Sequence, residues 1–148
     1  TLDVQRITNG DITQSAFAKT DASLAFSGGT WVTAQSLSIT TRGGQLLIQG
    51  NIDINNYLLC DIRIRKGAST TLVQKYAGAS WSSVADAFAR SCPKGNFVAY
   101  VGTADGSFAS PVTETYYLEA RVSAGSAVSG DGVSNMSQRF LMATEFKR

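Results

Sequence analysis

Histidine, the side chain most often used for proton transfer near neutral pH, is absent from this sequence of 148 residues. Its absence excludes Ser-His-Asp and Cys-His nucleophile pairs and histidine-bearing zinc sites. Cys60 and Cys92 are the only thiols, too few for a four-cysteine metal site. No glycine-rich loop of the P-loop or dinucleotide-binding kind opens a helix. The remaining reactive groups are carboxylates: Asp53, Asp61, Asp105, Glu114 and Glu119. A glycoside-hydrolysing pair needs two of them brought face to face by the fold, which spacing does not reveal. Asp61 and Glu119, however, fall at the charged positions of alternating strand-like runs, where contact with water accounts for them. The sequence therefore reads as non-enzymatic, with no catalytic residue, no cofactor and no metal site.

Binding chemistry has more to work with. The run Asn51-Ile-Asp-Ile-Asn-Asn56 carries oxygen ligands but lacks the glycine and terminal glutamate of a calcium loop, so it reads as turn chemistry. Arg42-Gly43-Gly44 matches one unit of an RNA-binding tract, but a single copy between two strands reads as a hairpin turn. Asn135-Met-Ser137 matches a glycosylation sequon, a match that arises readily by chance. Trp31, Trp81, Tyr57, Tyr76, Tyr100, Tyr116 and Tyr117 are residue types that stack on sugar rings or anchor interfaces. Most are expected in the core. Tyr117 is the exception, since alternation sets it opposite Leu118 and beside Glu119 and Arg121, on an exposed face.

These residues must be positioned by strands. Short runs of alternating or continuous apolar residues, separated by Gly, Ser, Asn and Asp, recur along the chain. Residues 35–41 alternate Leu37 and Ile39 against Ser36, Ser38 and Thr40, and Gly43-Gly44 turns into 45–50, continued by Ile52 and Ile54. Residues 59–66 alternate most clearly, with Cys60, Ile62 and Ile64 toward a core and Asp61, Arg63 and Arg65 toward water. Further strands are expected over 70–76, 97–101, 114–123 and 139–147, with 124–137 as a long loop. Residues 80–91 space Trp81, Val84, Ala85 and Phe88 as a short helix, stopped by Pro93. The fold class expected is all-β: an antiparallel β-sandwich or jelly roll, with one short helix near 80–91. Residues 1–25 are expected as an N-terminal arm or edge strand, and 26–148 as the sandwich.

Composition narrows the partners. Hydrophobic residues make up 43% of the chain and charged ones 16%, with a formal net charge of +2. That charge is too small to argue for nucleic acid or an anionic membrane, and no apolar run reaches the ~18 residues of a membrane-spanning helix. Low charge fits a surface that meets protein. Two runs hold more apolar residues than one inner face needs, so Leu46, Ile48, Phe140, Leu141, Met142 and Phe146 are expected at a contact between copies. In the N-terminal segment, Leu2, Val4 and Ile7 are placed to add onto a neighbouring sheet. Cys60 shares the apolar face of its strand and reads as a small core residue.

The sequence resembles small jelly-roll proteins of tailed-bacteriophage particles. The resemblance lies in Ser36-Leu-Ser-Ile-Thr-Thr-Arg-Gly-Gly-Gln-Leu-Leu-Ile-Gln-Gly50, in Thr115-Tyr-Tyr-Leu-Glu-Ala-Arg-Val-Ser123, and in the ending Arg139-Phe-Leu-Met-Ala-Thr-Glu-Phe-Lys-Arg148. Capsid decoration proteins and trimeric tail-fibre tips end in a similar way, with the last strand on the threefold-facing side. The resemblance implies a homotrimer located in the virion and assembled in the bacterial host cytoplasm. Its partner would be the major capsid protein or another virion protein. It leaves two roles open: a decoration (cement) protein stabilising the shell, or a fibre tip recognising a surface glycan or protein. It also implies reduced Cys60 and Cys92, since that cytoplasm disfavours disulfides.

Overall fold

The computed structural model describes residues 14–27, 29–55, 60–77, 97–108, 110–122 and 133–146. Every regular element among them is a strand: β1 (Gln14–Thr20), β2 (Leu24–Ser27), β3 (Val32–Thr40), β4 (Gln45–Asn55), β5 (Cys60–Lys66), β6 (Thr70–Ala77), β7 (Phe97–Asp105), β8 (Thr113–Val122) and β9 (Val133–Phe146). The first sheet runs β1-β9-β4-β7, with β2 also pairing β9, and the second runs β3-β8-β5-β6. All pairings are antiparallel. The all-β sandwich expected from alternation is the observed fold. The helix expected over 80–91 falls outside the described residues.

Alternation decides which residues meet between the sheets, because successive side chains of a strand point to opposite faces. From the first sheet, Leu46, Ile48, Ile52 and Ile54 of β4, Val101 of β7 and Leu141 and Ala143 of β9 point inward. They meet Leu37 and Ile39 of β3, Cys60, Ile62 and Ile64 of β5, and Tyr116, Leu118 and Ala120 of β8. Gly50 sits among these inward residues, and a Cβ there would lie 2.7 Å from Leu118 Cδ1. The missing side chain is what lets the second sheet's leucine approach the β4 backbone.

One element starts earlier than the sequence reading placed it, and another takes one of its two alternatives. β9 begins at Val133, inside the stretch expected as a loop, because 133–136 pair with β2. β1, within the segment expected as an arm or edge strand, is an edge strand of the first sheet paired along its length with β9. Ala16 and Ala18 pack against the core.

Polar groups inside the sandwich are paired. Arg139 is buried and donates to the carbonyls of Ala34 (2.8 Å), Met136 (3.3 Å), Ser137 (3.1 Å) and Ala22. Ala34 lies at the bulge of β3, and Met136 and Ser137 at that of β9, so one guanidinium satisfies carbonyls where two ladders are interrupted. Burial lowers its pKa from the usual arginine value. At the opposite end, Glu145 accepts from the backbone N–H groups of Arg42 and Gly44, both at 2.7 Å, and from the Gln14 amide. Burial pushes this carboxyl up, but those donors and the Arg42 charge outweigh it and hold it below the ordinary carboxylate value. Nearby, Asp105 of the first sheet accepts from the Tyr116 hydroxyl at 2.6 Å and from Lys66 Nζ at 3.0 Å, joining the two sheets. Burial and the neighbouring Asp105 raise the Tyr116 pKa, so the phenol stays a donor.

Gly50→Ala is expected to destabilise the chain by about 1–3 kcal/mol through overpacking. Leu118→Ala alone opens a cavity, and the double variant should lose clearly less than the two losses added. Urea denaturation of the four proteins measures the coupling, and strict additivity would contradict the close contact.

Candidate functional site

The outward face of the first sheet is the first surface left to explain. Register sets Phe17 beside Met142, Gln49 and Gly102 in one row, and Lys19 beside Phe140, Asn51 and Tyr100 in the next. Ser15, Thr144, Leu47 and Ala104 form a third row, with Gln45 and Phe146 at one end and Asp53 and Val98 at the other. Phe17 is 63% exposed, Val98 65%, Tyr100 52% and Phe146 49%. The Phe17 and Phe140 rings pack with centroids 5.4 Å apart. Tyr100 lies along its own strand over Gly102, where a Cβ would come within 2.7 Å of its hydroxyl, and that hydroxyl accepts from Gln49 Nε2 at 3.1 Å.

Strands ~4.8 Å apart, with outward residues ~6.8 Å apart, give this face about 500 Å². Ser15, Gln45, Gln49, Asn51 and Thr144 share that area with the apolar side chains, so the apolar patch is only part of it. Among the described residues, the charges on or beside it are Lys19, its ion-pair partner Asp21 at 3.2 Å, and Asp53, all toward one end. A face so poor in charge has the composition of an interface core.

Of the residues expected at a copy-to-copy contact, Phe140, Met142 and Phe146 lie on this face. Leu46, Ile48 and Leu141 do not: all three are 0% exposed and filled into the core, so they are not available to a partner. The leucine-rich run is split by alternation, leaving only Leu47 outward. Phe17, Val98 and Tyr100 are not among the contact residues that the sequence points to. Phe17 lies in the weakly patterned segment before residue 25, and Tyr100 is one of the aromatic residues expected inside. Leu2, Val4 and Ile7 lie outside the described residues.

The outward face of the second sheet is built differently. Arg63 Nε donates to Glu119 Oε2 at 2.6 Å, Arg65 Nη2 to Glu119 Oε1 at 2.9 Å, and Arg121 Nε to Asp61 Oδ2 at 2.8 Å. Trp31, just before β3, receives the guanidinium groups of Arg63 and Arg121 at 4.1 and 4.5 Å from its ring centroid. Arg65 stacks on Tyr117 at 4.2 Å. Tyr117 is thus on the outward face as expected, but half-buried under a guanidinium rather than bare. The solvent-facing roles expected for Asp61 and Glu119 are corrected: both are buried, at 3% and 4% exposure. Their arginine partners and the aromatic rings shield them, an arrangement assembled from two strands and one connection that no local pattern announces.

Burial raises the Glu119 carboxyl, but hydrogen bonds from Arg65 and Arg63 and their charges lower it further, leaving a net depression. Among the described residues no group of three or more His, Cys, Asp or Glu could hold a metal ion. The two outward faces therefore differ in chemistry: one is poor in charge and carries exposed aromatic side chains, and the other is paired and arginine-rich.

A carboxylate depressed in the folded state stabilises the fold above its unfolded pKa, and that contribution is lost as pH falls through the folded value. Glu119→Gln is therefore expected to cost about 2 kcal/mol at pH ~7, where charged hydrogen bonds are lost. The deficit relative to wild type should shrink by pH ~3, as the wild-type carboxyl takes up its proton. Urea midpoints at the two pH values measure this, and an equal deficit at both would contradict the assignment.

The sequence matches no protein-family model and no curated protein. The fold does match solved structures. The crystal structure of the infectious bursal disease virus VP2 subviral particle superposes with a TM-score of 0.57 at 13% identity, over 98% of this chain and 37% of that one. The structure of infectious bursal disease virus Gt strain gives 0.56 at 15% identity, over 98% and 35%. That of the Gx strain gives 0.54 at 13%, over 92% and 32%. The chain thus spans about a third of the length of these proteins. At this identity the likeness establishes a shared β-sandwich fold.

Proposed function

We propose that the chain is a non-enzymatic structural protein of a virus particle, assembling as a homotrimer through the outward face of its first sheet. The observation that carries this reading is that face itself: Phe17, Val98, Tyr100, Phe140, Met142 and Phe146 stand outward with almost no charge among them. Folding has no further use for these side chains, and a second and third copy would cover them. The fold's likeness to a VP2 subviral particle supports a place in a virion. The sequence resemblance to tailed-phage proteins supports the more specific reading of a capsid decoration (cement) protein. In that role the trimer binds the major capsid protein or another virion protein in the host cytoplasm. Leu2, Val4 and Ile7 then add the N-terminal segment to a neighbouring sheet.

The second reading, a tail-fibre tip recognising a bacterial surface glycan or protein, is favoured by one observation. The arginine–tryptophan cluster lies on the sheet face turned away from the proposed contact.

Sedimentation at micromolar concentration should show a trimer. Phe140→Asp combined with Met142→Lys alters only outward positions, so it should leave the chain folded but weaken association by at least about 100-fold, or about 2.7 kcal/mol. Removing residues 1–13 should keep the trimer and weaken attachment to particles by about tenfold. A wild-type monomer, both alone and on its shell, would sink the proposal.

A further inference from the structure

The outward face of the second sheet holds more cationic hydrogen-bonding capacity than its acids consume. Three guanidinium groups meet two carboxylates, Asp61 and Glu119. Each nitrogen of Arg65 is engaged, Nε and Nη2 on Glu119 and Nη1 on the Gly67 carbonyl. Arg63 spends Nε on Glu119 and reaches Thr71 Oγ1 with Nη1 at 3.4 Å, the long limit for such a bond. Arg121 spends Nε on Asp61, and its Nη groups meet no acceptor among the described residues. Its side chain is 30% exposed. Both outward guanidinium groups are held against the Trp31 ring, so little freedom remains to be lost on binding.

The chemistry changes along the same face. Outward residues of β8 follow one another at ~6.8 Å, from Arg121 through Glu119 and Tyr117 to Thr115 and Thr113. Past Tyr117 the described face is uncharged and lined with hydroxyl pairs: Ser38 Oγ with Thr115 Oγ1 at 2.7 Å, and Thr40 Oγ1 with Thr113 Oγ1 at 2.9 Å. One end thus offers planar forks that match a carboxylate, and the other offers neutral donors and acceptors. A nucleic acid would need cations along its whole length, and the hydroxyl end supplies none.

We propose that this face binds an acidic saccharide. Its carboxylate is taken by the Nη groups of Arg121 and Arg63 beside Trp31, and its hydroxyls lie along Ser38 and Thr115. The inference rests on the assembly reading only in that the other sheet's outward face is the one covered.

The test uses the full chain and four probes: tetragalacturonate, maltotetraose, sodium acetate and a tetraglutamate peptide. Tetragalacturonate should shift the side-chain Nε resonances of Arg63 and Arg121 and the indole resonance of Trp31, saturably. Arg121→Gln should weaken it by about tenfold and Thr115→Val by about threefold. The wild-type shifts stand even if Arg121→Gln impairs folding. Absence of saturable shifts at about 10 mM, equal binding of maltotetraose, acetate reproducing the affinity, or tighter binding of tetraglutamate would each overturn the proposal. Sedimentation of the same samples separates the two readings. A monomer that binds tetragalacturonate removes the assembly reading alone, and a trimer that does not bind it removes this one alone.

Discussion

Two sheets enclose one interior, and each strand has two faces. That constraint governs how this chain distributes its apolar residues. On β9, Leu141 and Ala143 complete the interior with Leu46 and Ile48 of β4, and all four are fully buried. The interior is then closed, as shown by Leu118 packing directly onto the Gly50 backbone. Phe140, Met142 and Phe146 alternate with those core residues and are directed outward, where Phe17 and Tyr100 join them. Enlarging the core cannot take them in, because a close-packed interior does not accept extra volume cheaply. On the assembly reading proposed above, other copies of the chain cover them.

The polar residues keep this division fixed. Arg139 bonds carbonyls at the bulges of both sheets, so β3 and β9 are joined at one end. Glu145 gathers the backbone of the Arg42–Gly44 turn at the other end, where Lys66, Tyr116 and Asp105 also connect the sheets. A slip of β9 by one residue would turn Glu145 and Arg139 outward and Phe140 inward, breaking both sets of bonds at once. The parity that leaves an apolar face outside is thus enforced by charged groups inside. The second sheet shows the converse: its charges are outward, but paired and roofed by Trp31 and Tyr117, which makes that face stiff as well as polar.

Much of the strand content was legible because it is local. Cys60, Ile62 and Ile64 alternate against Asp61, Arg63 and Arg65, and β5 forms where that pattern lies. The parity of β9 was harder to read. Phe140 and Met142 look more core-like than Ala143 and Glu145, yet the inward set contains the glutamate, because the Arg42–Gly44 turn supplies its donors. The start of β9 at Val133 depends on β2, a four-residue strand too short to show a period. The burial of Asp61 and Glu119 arises from arginines across the sheet and from Trp31, contacts that no spacing along the chain encodes.

The central claim is that the outward face of the first sheet is covered by other copies of the chain. Hydroxyl-radical footprinting across a dilution series tests it residue by residue, with Phe17, Tyr100, Phe140 and Met142 as reporters and Tyr117, on the other sheet, as the internal reference. The account predicts that the four reporters are protected at micromolar concentration and become reactive together on dilution, while Tyr117 stays unchanged. Reactivity of the four that is high and independent of concentration would contradict it.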